Sequence, residues 1–162
     1  MEDKAKRIES LTKKVSDNLQ QQRSQRQNEL DERGRIMPQA RHLEEAVLGA
    51  IMLEKESFDV VSGFLKEESF YIDAHQRIYK AMRQCYEDNQ PIDILTVVER
   101  IKLNGELETI GGAYYVAALT NKIASSANLE YHGRLLAQKH LKRELISLSN
   151  EFIRDAFDET VD

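Results

Sequence analysis

Between Ser125 and Phe157 the chain has no proline and a single glycine, Gly133. An uninterrupted helix of roughly 30 residues, about 45 Å long, is predicted there. Such a rod outruns any globular head that the remaining residues could build around it. Leu141, Leu145, Leu148 and Phe152 follow one another at spacings of four and three and share one face. Leu135, Leu136, Ile146 and Ile153 fall partly on others. A helix that is apolar on more than one side needs more than one neighbour. The stretch is therefore read as a docking or self-association surface, because large exposed apolar patches rarely persist on monomers.

The segments before it carry shorter versions of the same signal. The folded body is expected to begin near Pro38, a residue suited to the first turn of a helix. Leu43, Ala46, Val47, Ala50 and Ile51 then repeat with helical period. Gly49 inside that helix costs up to about 1 kcal/mol, which points to a close neighbour. Ser57 is the expected cap of a second helix whose Phe58, Val61 and Leu65 face inward. Asp73, with Gln76 three residues on, is the expected cap of a third, with Ile78, Ala81, Met82 and Cys85 as its buried stripe. Asp93 caps a fourth, in which Ile94, Val97, Val98 and Ile101 recur, and Asn104-Gly105 ends it. Gly111-Gly112 opens a fifth helix over 113–122. No alternating run bounded by turn signals supports a strand. The fold class is all-α, a compact head of short helices followed by one long helix.

A length of 162 residues, 41% of them hydrophobic, supports one core and hardly two. The expected domains are a mobile polar tail over 1–36, a helical head over 37–124, the long helix over 125–157, and the start of a turn over 158–162. The tail holds nine Lys/Arg and seven Asp/Glu; of the chain's 23 and 28, fourteen basic and twenty-one acidic residues remain for the body. An acidic body lacks the clustered cations that a duplex-DNA binder needs to neutralise phosphates. The chain shows neither a long apolar run nor a basic-then-apolar leader after Met1, which predicts a cytoplasmic protein with no membrane partner. The lone cysteine, Cys85, has no internal disulfide partner and reads as a small buried hydrophobe.

No constellation of catalytic residues emerges. None of the seven glycines precedes a lysine, so the loop that cradles nucleotide phosphates is missing and no ATP hydrolysis is expected of this segment. Gly111-Gly112 could greet an anion at a helix start, yet a lone Gly-Gly is more often a tight turn. His42 and Glu45 share a helix face but lack further ligands, so no metal is expected. His75, near Tyr71 and Gln76, is read as a hydrogen-bonded structural histidine. His132 and His140 are assigned to the surface or an interface. Tyr114 and Tyr115 admit two readings, a stacking platform for single-stranded nucleic acid or a pair with one ring packed inward and one facing a partner. The second is preferred because no basic cluster accompanies them. Lys139, His140, Lys142 and Arg143 are read as a solvated face, since Glu144 interrupts them.

Taken in order, Glu44-Glu-Ala-Val-Leu-Gly-Ala50, Phe70-Tyr71 with His75 and Ile78, Asp93 with Thr96-Val97, Gly111-Gly112 with Tyr115 and Leu119, Ala127-Asn128 with Tyr131, and Arg143 with Leu145-Ile146 resemble the N-terminal domain of bacterial replicative DNA helicases of the DnaB family. The resemblance covers about residues 37 to 158. It implies a helical interaction module whose long helix is one arm of a hairpin, with Asp158–Asp162 leading into a second arm. In the parent helicase such modules pair through their arms, assemble into a three-fold collar, and receive the C-terminal domain of primase; a helicase loader is a further implied partner. ATP and Mg2+ are implied only for the parent's motor domain, which also makes the DNA contact. Glu44, as a polar rim residue, and Tyr115, Ile146 and Ile153, as contact residues, are the partner-binding candidates. Leu141, Leu145, Leu148 and Phe152 are the self-association candidates. A stand-alone helical adaptor that never belonged to a motor is the rival reading, and an enzyme with a cryptic site is a third.

Overall fold

The computed structural model describes residues 34–121 and 127–157. Within them the chain forms α1 (Arg41–Leu53), α2 (Ser57–Ser62), a 3-10 turn (Glu67–Ser69), α3 (Asp73–Glu87), α4 (Ile94–Leu103), α5 (Gly112–Asn121) and α6 (Leu129–Phe157). No β-strand occurs among the described residues, so the fold is all-α. The tail expected over 1–36 falls almost wholly outside the described residues, as do 158–162 and the expected start of the long helix at Ser125 or Ser126. Two units divide the chain, Pro38–Leu148 and a second comprising Met1–Met37 with Ser149–Asp162.

The first unit is built by packing helical stripes together. In α1, Val47, Ala50 and Ile51 are buried; in α3, Ile78, Ala81, Met82 and Cys85 are all fully enclosed, as their spacing predicts. α1 packs against α5, and α3 against α4, with α1 also crossing α3. Tyr79 and Phe70 are the largest fully buried side chains, and the Tyr79 ring lies between Phe58 and Phe70 at centroid distances of 5.5 and 4.9 Å. The Tyr79 hydroxyl donates to the Leu65 carbonyl at 3.3 Å, which satisfies a polar group that burial would otherwise penalise.

Helix ends follow the sequence only where the cap is local. Asp93 accepts from the Thr96 amide at 2.8 Å, and Gly105 takes φ 72° just past α4, both as expected. Ser57 and Asp73 do not cap. The residue before α2 is Glu56 in the left-handed region (φ 65°), and Ser57 is a buried first helical residue. Asp73 instead pairs with Arg77 at 2.7 Å, and Gln76 donates to the Phe70 carbonyl at 2.8 Å. Pro38 lies ahead of α1, with Ala40 at its cap position.

α6 enters the core through its first turns, where Leu129 and Leu136 are buried. A methyl group at Gly133 would stand 3.2 Å from Phe64 Cε2 and Val61 Cγ1 and 3.4 Å from Leu65 Cδ1. Gly133 thus lets α6 approach the α2 region closely. Gly49 is buried within α1.

Candidate interaction site

The N-terminus of α3 presents amide donors that no local side chain accepts, because Asp73 turns to Arg77 and Ile72 occupies the cap position. Glu44 reaches across from α1 to the two amides just ahead of the helix. Its carboxylate accepts from the Tyr71 amide at 2.7 Å, the Ile72 amide at 3.3 Å and His75 Nδ1 at 2.7 Å. His75 Nε2 lies 2.7 Å from the Tyr115 hydroxyl on α5. His75 Nδ1–H donates to the Glu44 carboxylate, and its other ring nitrogen pairs with the Tyr115 hydroxyl, so all three groups are satisfied. Burial pushes the Tyr115 hydroxyl above its ordinary range, with Arg41 pulling the other way. The array ties α1, α3 and α5 together without exposing a charge.

The rim role expected of Glu44 therefore does not hold: the residue is 1% exposed and its three hydrogen bonds all lie inside the fold. Tyr115 is half-buried for the same reason, and the outward member of the tyrosine pair is Tyr114 at 86% exposure. One ring in and one ring out is the preferred sequence reading, but a partner would meet Tyr114. His75 is the structural histidine expected of it, fully buried.

Arg143 on α6 leaves the solvated face to which the sequence assigns it. It donates to the carbonyls of Pro38 at 3.0 Å, Glu68 at 2.9 Å and Ser69 at 3.0 Å, and its guanidinium lies 5.6 Å from the centre of the Tyr71 ring. Burial holds its pKa below the usual arginine range, with the Glu44 charge opposing. Within the first unit this clamp fixes α6 against the segment that leads into α3. Its neighbours keep ordinary roles, Lys142 exposed and His140 3.5 Å from Glu144. Nothing local marks Arg143 as different from Lys142; the only signal is its place two residues ahead of the Leu145-Ile146 pair in the family blocks.

Around and beyond the clamp, most large apolar side chains of α6 are exposed. Leu141 and Leu145 are each 55% exposed, Leu148 46%, Phe152 62% and Ile153 39%, while Ile146 is half-buried. The self-association candidates thus stand on an accessible helix face, and Ile146 is less available than its sequence position suggests. His42, 3.8 Å from Glu45, finds no third ligand, and no group of metal-binding side chains occurs among the described residues. No described helix is long and apolar enough to cross a membrane. Cys85 is enclosed, and burial raises its thiol pKa.

Residues 36–138 match the DnaB-like helicase N terminal domain. The chain belongs to that family. It is 42% identical over 129 residues to the replicative DNA helicase DnaB of Rhodothermus marinus, covering 80% of this chain and 14% of the relative. It is 35% identical over 123 residues to that of Geobacillus stearothermophilus, covering 76% and 27%. Among solved structures, the N-terminal domain of DnaB helicase from Mycobacterium tuberculosis superposes with a TM-score of 0.72 at 31% identity, over 75% of this chain and 88% of that one. A second, of a DnaB-like replicative helicase and its interactions with primase, has a TM-score of 0.65 at 27% identity, over 72% of this chain and 27% of that one. The chain thus spans 14% and 27% of the lengths of these two full-length relatives. Glu44, His75 and Tyr115 lie inside the matched region, whereas Leu141, Leu145 and Leu148 lie past its end at residue 138.

Proposed function

We propose that this chain is the N-terminal interaction domain of a replicative DNA helicase, without catalytic activity of its own, that helps hold subunits in a ring and receives the C-terminal domain of primase. The observation that carries the reading is the outward apolar face of α6, with Leu141 and Leu148 about half exposed on a helix that Arg143 anchors at its midpoint. A long helix with exposed leucines suits association better than catalysis, because apolar burial stabilises a complex wherever water is displaced. The similarity to a helicase solved with reference to its primase interactions supports the choice of partner. A helicase loader is a further partner for the same surfaces. ATP and Mg2+ belong to the motor of the parent protein, since the Gly-Lys pair of a phosphate-binding loop is absent from this sequence.

Sedimentation over a concentration series, with and without the C-terminal domain of the cognate primase, tests this. Wild type should self-associate and gain mass with primase. Leu141→Ser with Leu148→Ser should weaken self-association by about 1–3 kcal/mol while circular dichroism stays unchanged. A monomer at every concentration that also ignores primase would refute the assignment.

A further inference from the structure

A groove of about 410 Å³ opens where the end of α1, the loop into α2 and the loop between α3 and α4 meet, on the first unit and away from the exposed leucines of α6. Its floor is apolar, made by Ile51, Met52 and Phe58, with Ile92 half-buried beside them. Two apolar side chains stand at its mouth, Leu53 at 53% and Tyr86 at 44% exposure. Tyr86 is held in place from two sides, its hydroxyl donating to Asp59 at 2.5 Å and its ring tilted against Phe58 at 4.8 Å. The mouth is thus a fixed shape, and its size falls in the range of about 300–1,000 Å³ typical of binding clefts.

The charge around this floor is mostly negative. Glu54, Glu56 and Asp59 line one wall and Asp93 the other, against a single cation, Lys55. Asp59 and Asp93 each give an oxygen to an internal bond, while Glu54 and Glu56 make no side-chain hydrogen bond or ion pair among the described residues. Glu56 moreover sits at φ 65°, a conformation a non-glycine residue adopts at some cost. Apolar depth with uncompensated carboxylates above it complements a cationic segment that carries an apolar side chain.

We infer that this groove is a second docking site, separate from the α6 face, that takes a basic peptide segment of another protein with a leucine- or phenylalanine-sized anchor flanked by lysine or arginine. The anchor enters between Leu53 and Tyr86 and displaces water from the floor. The flanking cations sit opposite Glu54 and Glu56. The apolar contact supplies affinity that salt does not screen, and the carboxylates supply register and a salt-dependent part.

The probe is a fluorescein-labelled synthetic peptide, Lys-Arg-Leu-Lys-Phe-Lys-Arg, followed by anisotropy and by backbone amide shifts of the isotope-labelled chain. Binding should shift amides around Leu53 and Tyr86. Leu53→Ser should weaken it about fivefold. Glu54→Gln with Glu56→Gln should weaken it comparably and flatten its salt dependence, whereas Glu99→Gln with Glu108→Gln, exposed carboxylates outside the groove, should change little. All three variants alter exposed side chains, so an unchanged circular dichroism spectrum confirms that the fold survives. No binding, equal binding of a peptide with serine in place of leucine and phenylalanine, or equal loss in the remote pair would each overturn the site, the last two by reducing it to attraction to the chain's net charge of −5.

Discussion

Replacing Glu44 by alanine is the sharpest test of how this domain is held together. The carboxylate is 1% exposed and accepts two bonds at 2.7 Å, from the Tyr71 amide and His75 Nδ1, and a longer one at 3.3 Å from the Ile72 amide. Two effects oppose. Burying a carboxylate costs several kcal/mol in desolvation, so its removal alone would stabilise the fold. Each short bond to a charged acceptor contributes about 1.5–3 kcal/mol, and the orphaned buried donors cost about 1–3 kcal/mol apiece. Because the charge sits at a helix N-terminus with three donors aimed at it, the second effect wins. Glu44→Ala should destabilise by about 3–5 kcal/mol, a large part of a typical total of about 5–15 kcal/mol. At a few degrees per kcal/mol for a chain of this size, the melting temperature should drop by about 10–15 °C. Glu44→Gln, which keeps one acceptor oxygen, should lose about 2 kcal/mol. Urea titration followed by circular dichroism gives both values. A loss below about 1 kcal/mol in Glu44→Ala, accompanied by weakened primase binding, would show the carboxylate facing a partner and would refute the structural role.

Three further outcomes follow from the same geometry. Burial pushes the Tyr79 hydroxyl up from 10.0 to about 12, so the folded state holds its proton more tightly than the unfolded state. Its contribution is intact below pH 10 and is lost as pH rises toward 12; tyrosinate absorbance should lose a late-titrating component in Tyr79→Phe, which should also remove part of the alkaline slope in stability. Gly133→Leu should cost about 2 kcal/mol or more in urea titration because Phe64 and Val61 stand 3.2 Å from where its Cβ would be, whereas Gly133→Ala should stay within about 1 kcal/mol as helix propensity offsets the crowding. Arg143→Lys should destabilise by about 1–2 kcal/mol despite keeping its charge, because one ammonium does not span the carbonyls of Pro38, Glu68 and Ser69; equal stability of the two proteins would mean that the clamp is idle.

What the sequence determined by itself is local and periodic. The stripe Ile78, Ala81, Met82 and Cys85 is buried because helical spacing brings those side chains to one side wherever the helix lies. Asp93 caps α4 because the amide it accepts from is three residues away, and the uninterrupted helix after residue 128 needs only the absence of proline. The missing phosphate-binding loop is likewise a statement about adjacent residues. Tertiary structure decided the rest. Glu44 meets His75 across 31 positions, His75 meets Tyr115 across 40, and Arg143 reaches Pro38 across 105. No spacing rule carries that distance, so Glu44 reads as a surface carboxylate, Arg143 as one of several solvated cations, and Asp73 as a cap although its carboxylate turns to Arg77 instead. A polar side chain's burial depends on whether a partner arrives from another element to offset the loss of water, and that is settled only when the elements pack.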